Sequence, residues 1–215
     1  MSKVLITGGT GLIGRRLSSL LKAKGYEAII LTRNYNSKSS QDSFHWNIEE
    51  YSLDDSAFKN IDHILHLAGA GVADKRWSKK RKKEILTSRV VSTNLLYDTI
   101  KRLKIPLKSF VAASAIGYYG STTTDKIFIE TDQPHNDFLG NVCKLWERAI
   151  RQFENLKIRT VTLRTGIVLS KDGGALEKMK TPIITPFGNG KQYICLLYTS
   201  PRPRDRTRSR MPSSA

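Results

Sequence analysis

Apolar and polar positions follow two rhythms along this chain. Short apolar runs that read as strands fall at Val4–Thr7, Ala28–Leu31, Phe44–Trp46, His63–Leu67, Ser109–Ala113 and Arg159–Leu163. Between them, apolar residues recur at three and four over 12–24, about 78–104 and 138–155, which predicts helices. The first helix carries Ile13, Leu17, Leu20 and Leu21. The second turns Leu96, Ile100 and Leu103 inward, and the third repeats Leu139, Val142, Trp146, Ile150 and Phe153. Strands alternating with helices need crossover connections, so the pattern predicts an α/β protein with a parallel sheet and helices on both faces. Asn34–Ser43 and Ile116–Asp137 read as loops, and no internal repeat is present.

The junction of the first strand and first helix is rich in glycine. Val4–Leu5–Ile6–Thr7 runs into Gly8–Gly9–Thr10–Gly11–Leu12–Ile13–Gly14, with glycines at 9, 11 and 14. A dinucleotide-binding βαβ unit needs one glycine for the turn, one for close approach to a pyrophosphate and one for helix–strand packing. The helix that follows offers free N–H groups and a positive dipole end to phosphates. The fold class sharpens to a Rossmann-like doubly wound sheet.

Composition adds limits. With 215 residues and 39% hydrophobic content, the chain suits one domain with a real core. No stretch approaches the ~20 apolar residues of a membrane span. The first strand begins after Met1–Ser2–Lys3, so no signal or transit peptide is expected, and Cys143 and Cys195 form no disulfide or metal framework. These features predict a cytoplasmic protein without a metal site.

The formal charge of +17 suggests a nucleic-acid partner until its location is considered. Residues 195–215 hold five arginines and one aspartate, so +4 of the total lies there. From Thr199 onward that segment has no apolar periodicity and resembles an adapter read-through. We therefore expect a domain over 1–194 and a non-native tail over 195–215. A denser run places Lys75, Arg76, Lys79, Lys80, Arg81, Lys82 and Lys83 around Trp77. No nucleic-acid-binding module accompanies it, so it reads as the solvated start of a long helix. Cations at a helix start oppose the dipole, which makes attraction to an anionic cofactor a local reason for the run.

Ligands of doubly wound sheets bind beyond the carboxyl ends of the strands. After the second strand comes Leu31–Thr32–Arg33–Asn34. An acidic residue there would bind the ribose 2′-hydroxyl of NAD, whereas a guanidinium matches the 2′-phosphate of NADP. The cofactor expected is NADP(H) rather than NAD(H). After the fourth long strand, Leu67–Ala68–Gly69–Ala70–Gly71 is small enough for backbone to lie against a cofactor. After the fifth comes Ser114–Ala115–Ile116–Gly117–Tyr118–Tyr119–Gly120.

Taken in order, these segments resemble the extended short-chain dehydrogenase/reductase superfamily in its NAD-dependent epimerase/dehydratase branch. Ala73–Asp74–Lys75–Arg76–Trp77, Ser88–Arg89, Trp146–Glu147, Arg164–Thr165–Gly166–Ile167–Val168–Leu169, Gly173–Gly174 and Gly188–Asn189–Gly190–Lys191–Gln192–Tyr193 narrow the resemblance. They are similar to its atypical YfcH-like "epimerase family protein" subgroup, over residues 3–194. The resemblance implies that Gly8, Thr10, Gly11, Leu12, Ile13 and Gly14 line the pyrophosphate turn. It implies that Thr32 and Arg33 hold the 2′-phosphate, and that Leu67, Ala68 and Gly69 border the adenosine side. Glu84 and Arg89 match cofactor-contacting positions, and Val168 matches one near the nicotinamide.

Chemistry is less complete. Reductases of the superfamily use a Tyr-x-x-x-Lys pair and a serine after the fifth strand to exchange a proton with the substrate oxygen. Ser114 matches the serine, but four residues before Lys144 stands Gly140. Tyr118 is the candidate substitute, with Tyr119 beside it. Family members continue past Gln192–Tyr193 into a part that supplies substrate contacts, from which this chain departs after Ile194. The resemblance therefore implies an NADP(H)-dependent oxidoreductase or epimerase acting on a small carbonyl or hydroxyl compound, with its substrate part missing. The missing tyrosine leaves a non-catalytic NADP(H)-binding or redox-sensing protein as the alternative.

Overall fold

The computed structural model describes residues 1–34, 42–121, 124–170 and 172–175, and the backbone of 196–198. The chain divides into two compact units, Met1–Thr122 with Lys126–Arg164, and Thr123–Asp125 with Thr165–Ala215.

The first unit is built on strands β1 (Lys3–Thr7), β2 (Glu27–Thr32), β3 (Ser43–Asn47), β4 (Ser52–Leu53), β5 (His63–His66), β6 (Ser109–Ala115) and β7 (Arg159–Thr165). Their order across the sheet is β4-β3-β2-β1-β5-β6-β7. Pairing is parallel from β3 through β2, β1 and β5 to β6, and antiparallel at the short edge strand β4. Helices α1 (Leu12–Ala23), α2 (Lys79–Leu103) and α3 (Phe138–Arg151) make the crossovers. This is the expected Rossmann-like α/β fold, and the predicted strands and helices lie within a few residues of their observed limits.

Parallel strands buried on both faces need apolar residues on both sides, and β1 shows the division. Leu5 joins Ile29, Leu31, Ile64 and Phe110 under α2 and α3, where Leu96, Ile100, Trp146 and Ile150 close the main core. Val4 and Ile6 face the other way, against Ala28, Leu21 and Leu65. In α1 the expected stripe needs correction. Leu17 and Leu21 are half-buried, but Ile13 and Leu20 are 40% and 43% exposed. The buried face of that helix is Gly14 and Ser18, because α1 lies too close to β1 for large side chains.

In the second unit β8 (Ile167–Ser170) pairs with β9 (Gly173–Gly174) in antiparallel fashion and with β10 (Leu196–Tyr198) in parallel. Leu196–Tyr198 is the apolar start of the segment set apart by sequence as a tail. The remainder of 195–215, the Gly188–Tyr193 motif and most of the Asn34–Ser43 loop lie outside the described residues. Among the described residues no helix is long and apolar enough to cross a membrane.

A buried polar chain ties β1, β5 and α2 together below the carboxyl edge. Thr7 Oγ1 accepts from the backbone N–H of Leu67 and Ala68, at 3.2 Å each, and lies 2.7 Å from His66 Nδ1. Having accepted twice, it donates its own proton to Nδ1. On the far side, Thr93 Oγ1 and Ser92 Oγ both donate to α2 carbonyls and lie 3.1 and 3.3 Å from His66 Nε2. Neutral His66 protonated on Nε2 satisfies every partner. Burial, with the Arg89 charge nearby, pushes its pKa down to about 3.

Two outcomes follow for stability. The unfolded state protonates His66 near pH 6.5 while the folded state stays neutral, so stability falls as pH drops from about 6.5 toward 3. Denaturation midpoints of the protein and of His66→Gln, measured across that window, are expected to differ in slope; parallel curves would refute the assignment. A Cβ at Gly14 would overlap the Gly8 carbonyl and stand 2.6 Å from Gly9 Cα. Gly14→Ala is expected to destabilise by about 1–3 kcal/mol in urea unfolding, the range of overpacked sites.

Candidate functional site

The sheet order reverses between β1 and β5, and a cleft of about 250 Å³ opens there at the carboxyl ends of β1, β2 and β5. Gly8, Thr10, Gly11, Thr32, Arg33, Leu67, Ala68 and Gly69 all line it. Eight residues singled out by sequence, from three separate segments, therefore share one cavity. This is the position where doubly wound sheets hold ligands.

Its floor is the glycine turn. Gly8 has φ +71°, a left-handed conformation that disfavours side chains, and a Cβ there would lie 2.9 Å from the Leu67 carbonyl carbon. The Gly11 N–H closes the turn on the Gly8 carbonyl at 3.0 Å. Gly11 is the N-cap of α1, with no side-chain cap and no acidic residue in the first turn. Leu12, Ile13 and Gly14 thus occupy the first helical positions, whose N–H groups have no partner within the helix. A helix start with no side-chain cap and glycine at 11 and 14 accepts an anion such as a pyrophosphate, so the residues present fit a dinucleotide.

Arg33 stands directly after β2 with Thr32, and no carboxylate occupies the adjoining positions. Glu84 is exposed, pairs with Arg81 at 2.7 Å and is held below its ordinary carboxylate range mainly by that hydrogen bond. It lines a second hollow beside the first, together with Arg33. Arg89 is half-buried on α2, donates to the Ile85 carbonyl at 2.9 Å and stacks 5.2 Å from the Trp146 ring centroid. Its guanidinium carbon would lie 3.1 Å from a Cβ on Gly69, so that glycine makes room for it. Val168 is half-buried in β8 of the second unit.

Sequence reasoning missed part of this wall. Trp46 within β3 and Ile48 just after it line the cleft, as does Ser88, whereas Ala70 on the same wall belongs to the small-residue segment already singled out by sequence. Ser88 Oγ accepts from the Ala70 N–H at 3.0 Å and so fixes the loop after β5. The usable signal was the apolar pair flanking Asn47 at a strand end.

The candidate chemical residues form a separate cluster after β6. Ser114 is buried and donates to Glu147 Oε1 at 2.7 Å. Arg164 grips the same carboxylate in two-pronged fashion, at 2.9 and 2.8 Å. That pairing raises the Arg164 pKa above its ordinary value. The guanidinium also lies 3.5 Å from the Tyr118 ring centroid and donates to the Tyr119 hydroxyl at 2.8 Å. Tyr119 in turn donates to the Ile129 carbonyl at 3.1 Å. Both Tyr119 contacts are thus spoken for, whereas the Tyr118 hydroxyl has no hydrogen-bond partner among the described residues.

Gly140 explains why no tyrosine precedes Lys144 by four. A Cβ on Gly140 would overlap the His135 carbonyl oxygen and stand 2.9 Å from its carbon. The Gly140 N–H meanwhile caps on Asp137 Oδ1 at 2.7 Å. Lys144 itself is exposed. Among the described residues no group of three or more His, Cys, Asp or Glu side chains could hold a metal ion.

Known proteins match both this fold and these segments. The profile of the NAD dependent epimerase/dehydratase family matches residues 4–197. An epimerase family protein of Mycobacterium leprae is 31% identical over 196 residues, covering 89% of this chain and 62% of its own length. The chain thus spans under two thirds of that relative. The nucleoside-diphosphate sugar epimerase of Corynebacterium glutamicum superposes with TM-score 0.79 and 30% identity, over 92% of this chain and 41% of that one. A human epimerase family protein solved with NADPH superposes with TM-score 0.75 and 29% identity, over 91% of this chain and 65% of that one. The chain belongs to the NAD dependent epimerase/dehydratase family, and its first unit has that family's NAD(P)-binding Rossmann fold.

Proposed function

We propose that this chain binds NADP(H) and forms the cofactor-holding part of an epimerase or oxidoreductase acting on a small carbonyl or hydroxyl compound. The observation that carries the reading is Arg33, a guanidinium on the wall of the cleft where an NAD-binding unit would place a carboxylate. The human family member solved with NADPH supports it. In this reading Gly8–Gly14 cradle the pyrophosphate, Thr32 and Arg33 hold the 2′-phosphate, and Leu67–Gly69 border the adenosine. Glu84 and Arg89 flank the cofactor from α2, and Val168 is assigned to the nicotinamide end. The nicotinamide, when bound, supplies the hydride donor or acceptor.

The chain's own residues would handle the proton. Tyr118 carries the uncommitted hydroxyl and is the assigned acid or base toward the substrate oxygen. Ser114, whose proton goes to Glu147, is assigned to orient the substrate hydroxyl. Glu147 and Arg164 act through others: they orient Ser114 and cover the Tyr118 ring.

Two observations favour a second reading, a non-catalytic NADP(H)-binding or redox-sensing protein. The position of the usual tyrosine is sterically closed at Gly140, and Ser114 is buried with its proton committed. Neither reading involves nucleic acid.

Fluorescence titration decides the cofactor. NADPH is expected to bind more tightly than NADH, and Arg33→Ala to weaken NADPH roughly 10-fold or more, the scale of a charge-assisted contact. Equal weakening of both cofactors would remove Arg33 from 2′-phosphate recognition. Turnover decides between the readings, in a chain extended to the length of its relatives and offered a panel of carbonyl compounds. Tyr118→Phe is expected to lower NADPH oxidation by about 10²–10⁴, the contribution of a general acid, with NADPH affinity unchanged. Ser114→Ala is expected to raise the substrate KM as well. NADPH binding without turnover of any compound would establish the second reading.

A further inference from the structure

Beyond Arg33 the cofactor cleft opens into a second hollow of about 410 Å³. The two are continuous, since Arg33, Trp46, Ile48 and Ser88 line both. One wall of the second hollow is a face of α2, formed by Lys80, Lys83, Glu84, Thr87 and Ser88. Their spacing of three, four, seven and eight residues from Lys80 is one side of a helix.

The basic run, for which the sequence offered attraction to an anionic cofactor as a local reason, thereby divides into separate jobs. Arg81 is buried, pairs with Glu84 and donates to the Gly71 carbonyl, holding the loop before α2. Lys82 turns the other way, 5.1 Å from the Phe138 ring centroid. Lys80 and Lys83 face the hollow, and among the described residues neither has a carboxylate within 4.0 Å. Two carboxylates share the lining, Glu84 and Glu49. Glu84 is neutralised by Arg81, so Arg33, Lys80 and Lys83 face one uncompensated negative charge.

Lys80 lies in the first turn of α2, where a cation opposes the helix dipole, and no acidic residue there offsets it. An anion held in the hollow removes that conflict. We infer that Lys80 and Lys83 are the second jaw of a clamp on a ribose phosphomonoester, with Arg33 as the first jaw. The inference rests on the NADP(H) reading and adds specificity-determining residues to it. A phosphomonoester carries about 1.5–2 negative charges at pH 7, which a single arginine leaves partly unbalanced. The bare 2′-hydroxyl of NAD(H) gives the lysines nothing to neutralise.

The test uses the 215-residue chain, with NADPH, NADH, adenosine 2′-monophosphate and inorganic phosphate as probes. The Lys80→Gln/Lys83→Gln variant is expected to bind NADPH roughly 10-fold more weakly with NADH unchanged. Its NADPH affinity is expected to fall less steeply with salt, and Lys80→Arg/Lys83→Arg to restore binding. Adenosine 2′-monophosphate is expected to displace NADPH at far lower concentration than inorganic phosphate, which identifies the nucleotide rather than free phosphate as the occupant. Unchanged NADPH affinity in the double glutamine variant, with Arg33→Ala still weakened, overturns the clamp and leaves the cofactor reading standing. Equal weakening of NADPH and NADH also overturns it. A wild-type chain without preference for NADPH removes the cofactor reading itself, and the clamp with it.

Discussion

The carboxyl edge of this sheet depends on how closely α1 approaches the end of β1. Gly14 lies against the Gly8 carbonyl at a distance no side chain permits, and Gly8 takes a backbone conformation that L residues disfavour. That contact seats the helix start over the strand end, where its free N–H groups converge on one point. It also dictates what the rest of α1 can bury. A helix pressed this close offers its neighbour Gly14 and Ser18 and leaves Ile13 and Leu20 to solvent.

The opposite lip of the cleft is held by a different force. The Leu67–Ala68 amides are fixed by Thr7, whose remaining proton fixes His66, whose Nε2 proton reaches α2. Each group in this chain has one role that satisfies its neighbours, so the tautomer follows from the geometry. Buried polar chains of this kind are costly when half-satisfied and rigid when complete. This chain adds directional links between β1, β5 and α2 to the apolar packing of Leu67 and Ala68.

Much of this was legible in the sequence, for identifiable reasons. The strand–glycine–helix junction and the alternating rhythm are local signals, and with the strand-end residues they located the sheet and eight cleft residues, while the switch point emerged only from the strand order. Arg33 was legible because its charge is opposite to that expected at a strand end. The apolar stripe of α1 misled where periodicity could not register how near the helix would come to β1. Trp46, Ile48 and the Ser88–Ala70 link were missed because their importance comes from contacts between distant segments. The buried Ser114–Glu147–Arg164 assembly is of the same kind, since no spacing rule relates residues on β6, α3 and β7.

Gly140 has a meaning for protein engineering. Replacing it with tyrosine to rebuild the superfamily's usual pair would drive a Cβ into the His135 carbonyl, and His135 is itself bonded to Tyr118 through its N–H at 2.8 Å. The graft would displace the loop that carries the existing phenol before it could supply a new one. The superfamily's usual pair cannot be built at this position by a single substitution. Exchanging one arrangement for the other in this chain requires the stretch from His135 to Gly140 to be rebuilt as a unit.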